Sequence, residues 1–326
     1  MPPKVLVTRR LPEGAMRALE ESLDVECNPH DRVMTRPEIL AAIKGKAGLL
    51  PLLTDRVDGE LMDAAGPQLR VIANYAVGYN NIDVVAATAR KIPVSNTPGV
   101  LTDTTADLAM ALLLAVARRV VEADVYARAG KFQGWAPLLF LGSDVHHKTL
   151  GLMGLGRIGS AVARRAAGFE MRVLYHDPRR LDSGEEKRLN VRYADQDTVL
   201  RESDFVSLHV PLTPETRHLI GPAQLAQMKP TSFLINTSRG EVVDEAALAH
   251  ALRTGRIGGA ALDVFEREPE IEPALRGLPN VVIVPHIASA SIETRTRMGL
   301  IAAENLAAAL VRGERPPNCI NPEVFG

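Results

Sequence analysis

A chain of 326 residues is long for one hydrophobic core and sufficient for two, since domains commonly hold about 100–150 residues. With 46% hydrophobic residues, 24% charged residues and a formal net charge of -1, the composition argues against a nucleic-acid or membrane-surface partner; an acidic metabolite would have to be held by a local cation. The two cysteines, Cys27 and Cys319, form no CxxC and no metal-ligand spacing, and no apolar run reaches the length of a signal peptide or a membrane span, so the expectation is a cytoplasmic protein without a metal.

Short β-branched runs alternate with helical patterns over most of the length. Residues 4–8 (KVLVT), 47–53 (AGLLPLL), 69–75 (LRVIANY) and 92–96 (IPVSN) read as buried strands, and residues 13–22, 36–44, 58–65 and 83–90 carry apolar side chains at helical spacing. Such a βα repeat implies a parallel sheet covered on both faces. Residues 101–130 then predict one long helix, apolar over most of its first half and starting after Pro98-Gly99, followed by a loop over 131–147 that holds the only tryptophan, Trp135. A second βα series begins at Thr149, with strands expected at 149–154, 171–176, 204–210, 232–236, 259–264 and 281–284 and a last helix over 292–312. The fold class is therefore α/β, with two doubly wound parallel-sheet domains.

The stretch LGLMGLGRIG (150–159) is an apolar strand followed by G-x-G-x-x-G at Gly154, Gly156 and Gly159, with a helix over 160–167 directly after it. The first glycine permits the tight turn, the second lets backbone approach a pyrophosphate, and the third lets helix and strand pack closely. Free N–H groups at the helix start attract the phosphates. The loop Gly154, Leu155, Gly156, Arg157, Ile158, Gly159 is the expected dinucleotide cradle. Asp177 ends the next strand, 21 residues past Gly156, where a carboxylate accepts hydrogen bonds from ribose hydroxyls and repels a 2′-phosphate. This favours NAD, with NADP possible because Arg179 and Arg180 follow.

Three polar residues come directly after strands of the second series, where ligands of open α/β sheets collect: Arg239 in INTSRGEVVD, Glu268 in ALDVFEREPE and His286 in VVIVPHIASAS. Reduction of a 2-oxo acid needs this set. A guanidinium binds the carboxylate and polarises the carbonyl. An imidazolium gives the proton, and a carboxylate beside it fixes its tautomer and favours its charged form. His209 ends the strand 204–210 and is placed to line the cofactor site.

These stretches, in this order, resemble the D-2-hydroxyacid dehydrogenase family, and within it the glyoxylate/hydroxypyruvate reductases. The resemblance covers nearly the whole chain: NYAVGYNNID (74–83), NTPGVLTDTTADLAMALLLAVARR (96–119), KTLGLMGLGRIG (148–159), HVPLTPETRHLI (209–220), LINTSRGEVVDEAAL (234–248), ALDVFEREP (261–269) and PHIASAS (285–291). It implies that Arg239, Glu268 and His286 are catalytic, and that Arg239 and His286 touch substrate together with Leu53 and the backbone of Val77 and Gly78. It implies that Thr105, Val210, Pro211, Thr237, Asp263 and His286 line the cofactor, Asp263 at the nicotinamide carboxamide. Trp135 is similar to a tryptophan that reaches a neighbouring subunit's active site, and the helix at 101–130 with the loop after it would form a homodimer interface. The fold implied is a Rossmann-type cofactor domain, 100–288, beside a discontinuous flavodoxin-like substrate domain, 1–99 and 289–326, with an interdomain cleft. One departure is Asp107 where the family usually has glutamate. A second is Val77, where the related phosphite dehydrogenases have lysine, which argues against phosphite as substrate.

The expected activity is NADH-dependent reduction of glyoxylate or hydroxypyruvate. The alternatives are a dehydrogenase for D-3-phosphoglycerate or a larger D-2-hydroxy acid, and a non-enzymatic NAD(H) sensor of the same fold.

Overall fold

The computed structural model describes residues 1–326. The chain forms two compact units, Met1–Leu101 with Ser289–Gly326, and Thr102–Ala288. In the first, strands β1 (Lys4–Val7), β2 (Asp24–Cys27), β3 (Gly48–Leu50), β4 (Val71–Ala73) and β5 (Val94–Ser95) make one parallel sheet in the order β2-β1-β3-β4-β5. The chain returns to this unit through helix Ile292–Ala307, which packs beside helix Glu13–Glu20 and over β4.

The second unit holds β6 (Thr149–Met153), β7 (Arg172–His176), β8 (Val191–Tyr193), β9 (Phe205–Leu208), β10 (Phe233–Asn236), β11 (Gly259–Leu262) and β12 (Val281–Ile283). Their order is β12-β11-β10-β9-β6-β7-β8, all parallel. The strand order reverses between β6 and β9, the switch point at which open α/β sheets bind ligands.

Alternation within each strand shows why both sheets need helices on both faces. On β1, Val5 and Val7 join one apolar cluster and Leu6 the other; on β10, Phe233 and Ile235 face one side and Leu234 the other. Successive side chains point to opposite faces, so a strand apolar throughout must be buried twice.

Three sequence readings are corrected. Strands β2 and β8 were not among those expected; β2 shows an exposed-intermediate alternation (DVEC) at a sheet edge rather than an apolar run, and β8 (VRY) has only three residues. The single helix expected over 101–130 is two, Thr102–Ala117 and Val120–Arg128. Arg119 turns left-handed at φ 53°, and the Ala117 carbonyl accepts the Ser143 N–H at 2.8 Å instead of continuing the helical ladder. Helix Val120–Arg128 buries none of its side chains. No helix is long and apolar enough to cross a membrane.

A close helix contact in the first unit is at Gly299, where an added Cβ would lie 2.2 Å from the Cβ of Ala15. Gly299→Val must therefore push helix Ile292–Ala307 off helix Glu13–Glu20. We expect a loss of about 1–3 kcal/mol in urea unfolding; an unchanged midpoint would show that the two helices part without penalty.

Candidate active site

The dinucleotide turn follows β6. Gly154 sits at φ +92°, and its N–H donates to the His176 carbonyl at 2.8 Å. A Cβ on Gly159 would lie 2.3 Å from the Gly154 carbonyl oxygen, so only hydrogen fits there. A Cβ on Gly156 would meet nothing within 4 Å, leaving that backbone open to a ligand's approach. Gly156 also caps helix Arg157–Ala166 without any side chain on its N–H groups. The residues present thus fit a pyrophosphate. Asp177, after β7, accepts the Leu155 N–H and the Arg179 N–H, each at 2.9 Å, and so braces the turn. Arg180 is committed elsewhere: it pairs with Glu186 at 2.9 Å and lies over the Tyr193 ring.

Thr237, after β10, is buried with its hydroxyl unpartnered by protein. Thr105 is buried in the first turn of helix Thr102–Ala117, which Arg165 of the neighbouring helix ties down through Asp103 at 3.2 Å and Asp107 at 2.6 Å. Asp107, the departure noted in the sequence, thus still finds a cation. Val210 and Pro211 follow β9.

Adjacent strands β10, β11 and β12 bring Arg239, Asp263 and His286 to one sheet edge, and the loop after β11 carries Glu268 back to them. Glu268 Oε2 lies 2.8 Å from His286 Nδ1, and its Oε1 accepts the Phe265 N–H at 3.1 Å. With Nδ1 on the carboxylate, Nε2 is the nitrogen available to a ligand. Partial burial works against ionisation of Glu268, but the His286 hydrogen bond and charge, the Phe265 N–H and Arg239 outweigh it, and its pKa falls below the ordinary value. Arg239 is half-buried, and its Nη1 donates to the Ser238 carbonyl at 2.7 Å. Desolvation pulls its pKa down while Glu268 and Glu241 oppose that.

Asp263 does more than the sequence suggested. It is wholly buried, and its carboxylate accepts the N–H groups of Ile287 at 2.6 Å and Ala288 at 2.9 Å, while its carbonyl accepts the His286 N–H at 2.9 Å. Burial raises its pKa; those two N–H groups and the nearby imidazole pull the other way. His286 itself stands at φ 52°, a left-handed conformation uncommon for a residue with a side chain.

Leu53, Val77 and Gly78 lie in the other unit, after β3 and β4. Asparagines missed by the sequence reading hold these turns. Asn74 donates to the Gly78 carbonyl at 2.8 Å, Asn96 to the Val77 carbonyl at 2.8 Å and Asn81 to the Leu52 carbonyl at 3.0 Å. Asn74 and Asn96, each directly after a strand, were the available signal. Trp135 joins neither group; it is 85% exposed in the segment 129–141.

The family model of the "D-isomer specific 2-hydroxyacid dehydrogenase, NAD binding domain" matches residues 110–288. The chain belongs to this family. It is accordingly an NAD(P)-dependent oxidoreductase, and its second unit carries the NAD-binding domain. A relative named glyoxylate reductase from Korarchaeum cryptofilum is 54% identical over 99% of this chain and 97% of that protein. Among solved structures, a protein from Thermus thermophilus is 48% identical with a TM-score of 0.89, over 97% of this chain and 99% of that one. An NADPH-dependent glyoxylate/hydroxypyruvate reductase from Sinorhizobium meliloti, solved with NADP and malonate, is 35% identical with a TM-score of 0.85, over 98% and 97%.

His209, after β9, has its Nε2 2.9 Å from the Ser207 hydroxyl, and desolvation pushes its pKa down from 6.5 to about 4. As pH falls, the unfolded chain takes this proton first, so stability is lost between about pH 6.5 and 4, by at most about 3 kcal/mol. His209→Asn should lose less stability than the wild type across that window in urea titrations. Equal losses would refute the assignment.

Proposed function

We propose that this enzyme reduces glyoxylate or hydroxypyruvate to glycolate or D-glycerate, with NADH as the preferred cofactor. The observation that carries the chemistry is the Glu268–His286 contact at 2.8 Å beside a half-buried arginine. The names of the relatives support the substrate. Gly154, Leu155, Gly156, Arg157, Ile158 and Gly159 would hold the cofactor's pyrophosphate and Asp177 its adenosine ribose, with Thr105, Val210, Pro211, Thr237 and Asp263 along its length. When bound, the cofactor supplies the hydride. Arg239 binds the substrate carboxylate and draws electron density toward the carbonyl oxygen. His286 gives the Nε2 proton to that oxygen as the carbon accepts hydride, and the Glu268 carboxylate stabilises the imidazolium beforehand. The same reading assigns Leu53 and the backbone of Val77 and Gly78, in the substrate domain, to the substrate.

The preference for NADH follows from Asp177, whose charge repels a 2′-phosphate, and from Arg180, which is held by Glu186 and Tyr193. Loss of NADH absorbance on adding glyoxylate, hydroxypyruvate, pyruvate or phenylpyruvate, repeated with NADPH, tests the whole reading. We expect the first two acids with NADH to react fastest. Arg239→Ala should lower kcat/KM with glyoxylate by about 100-fold or more. Activity near the wild-type level in that variant, or silence with all four acids despite NADH binding, would overturn the assignment.

The protein is also proposed to be a homodimer in the cytoplasm, where its free Cys27 and Cys319 stay reduced. Helix Val120–Arg128 and the segment after it expose Val120, Val125, Phe132, Trp135, Leu138 and Leu141, a run of apolar side chains that a second copy of the chain would cover. The double variant Val125→Asp/Leu138→Asp should elute as a monomer in light-scattering chromatography at concentrations where the wild type is dimeric. A wild type that is itself monomeric would refute the dimer.

A further inference from the structure

Glu245 is a carboxylate with no part in the reaction as written, yet it is only 4% exposed. It stands in the first turn of helix Glu245–Arg253, where Asp244 already caps the helix. Its Oε1 accepts the backbone N–H of Glu266 at 2.7 Å, and the backbone N–H of Glu272 also stabilises its charge. In return, Glu266 Oε2 stands 3.5 Å from the Glu245 N–H, while Glu266 Oε1 meets His218 Nε2 at 2.7 Å. On its other side the same segment lies against Gly240. A Cβ there would fall 1.8 Å from the Phe265 carbonyl carbon and 2.3 Å from the Glu266 nitrogen.

The Phe265-Glu266 peptide is thus clamped between the turn that carries Arg239 and the buried Glu245 carboxylate. Phe265 passes the constraint on, because its N–H is the donor to Glu268 Oε1 at 3.1 Å, and Glu268 Oε2 is the partner of His286 Nδ1. Burying a carboxylate is costly, and here burial and the neighbouring charges of Glu266 and Glu272 all push its pKa up. What the burial secures is the backbone on either side of Glu268.

We propose that Glu245 is a positioning residue for the proton donor: it fixes the segment 265–272 so that Glu268 stays on His286. This rests on the reading of Glu268 and His286 given above. A residue that acts through another should lose its effect when the other is gone. In the full-length enzyme, Glu245→Ala should lower kcat with glyoxylate by about 10-fold, with KM and the fluorescence-measured NADH dissociation constant within about twofold of wild type. Glu245→Gln keeps an acceptor oxygen at the same reach and should restore kcat to within about threefold. In a Glu268→Gln background, Glu245→Ala should cost nothing further. Where Glu245→Ala does not fold, Glu245→Asp, which draws the acceptor back by one methylene, is measured the same way.

If Glu268→Gln itself retains wild-type kcat, the role given to Glu268 is wrong and the inference falls with it. If Glu268→Gln is impaired but the folded Glu245→Ala or Glu245→Asp variant keeps full kcat, or if the two losses multiply in the double variant, the reading of the dyad stands and positioning by Glu245 is overturned.

Discussion

The candidate site depends on one buried carboxylate. Asp263 directly follows β11, and its carboxylate reaches the segment after β12, where it holds the N–H groups of Ile287 and Ala288. Those two bonds force the chain to turn immediately after His286, which therefore adopts φ 52°. A left-handed residue with a side chain costs about 1–2 kcal/mol. The two N–H groups held by Asp263 fix the turn after His286, so the left-handed backbone persists there.

Around that turn the charges alternate. The Asp263 carboxylate holds the segment, Glu268 lies 2.8 Å from His286, and Arg239 follows β10, two strands along the sheet from β12. Each group shifts its neighbours: His286 and Arg239 lower the Glu268 pKa, and Glu268 in turn opposes the desolvation that weakens the Arg239 charge. A guanidinium stays protonated at any physiological pH despite that desolvation. Of the side-chain types present, imidazole is the one that exchanges a proton near neutrality. The contrast between a permanent cation and a titratable group follows from residue chemistry, and the parallel strands bring both to the carboxyl end of the sheet.

The parts of this arrangement legible in the sequence are those with local signatures. A glycine-rich turn needs its spacing, and Gly154, Gly156 and Gly159 showed it. Residues directly after apolar strands are placed by topology, which is why Arg239 and His286 could be singled out without any contact being known. The features that escaped are held by long-range partners. The break at Arg119 depends on Ser143 taking the Ala117 carbonyl, and nothing in the helical periodicity of 101–130 records a donor that arrives 26 residues later. Edge strands β2 and β8 are half-solvated, so they lack the apolar run that marks a central strand. The bracing role of Asp263 likewise requires two strands to be neighbours before it exists.

Gly240 shows how tightly the remaining pieces are coupled. In the sequence it is one more glycine after Arg239, with no phosphate motif to explain it. In the fold its missing side chain lets the Phe265-Glu266 peptide lie against the turn that aims the guanidinium. A methyl group there would overlap three backbone atoms, none of which can rotate away as a side chain can. The loop bearing Glu268 and the turn bearing Arg239 are therefore one packed unit, and a displacement of either must displace the other. Arg239 and Glu268, 29 positions apart, are held in register because the residue after Arg239 packs against the Phe265-Glu266 peptide.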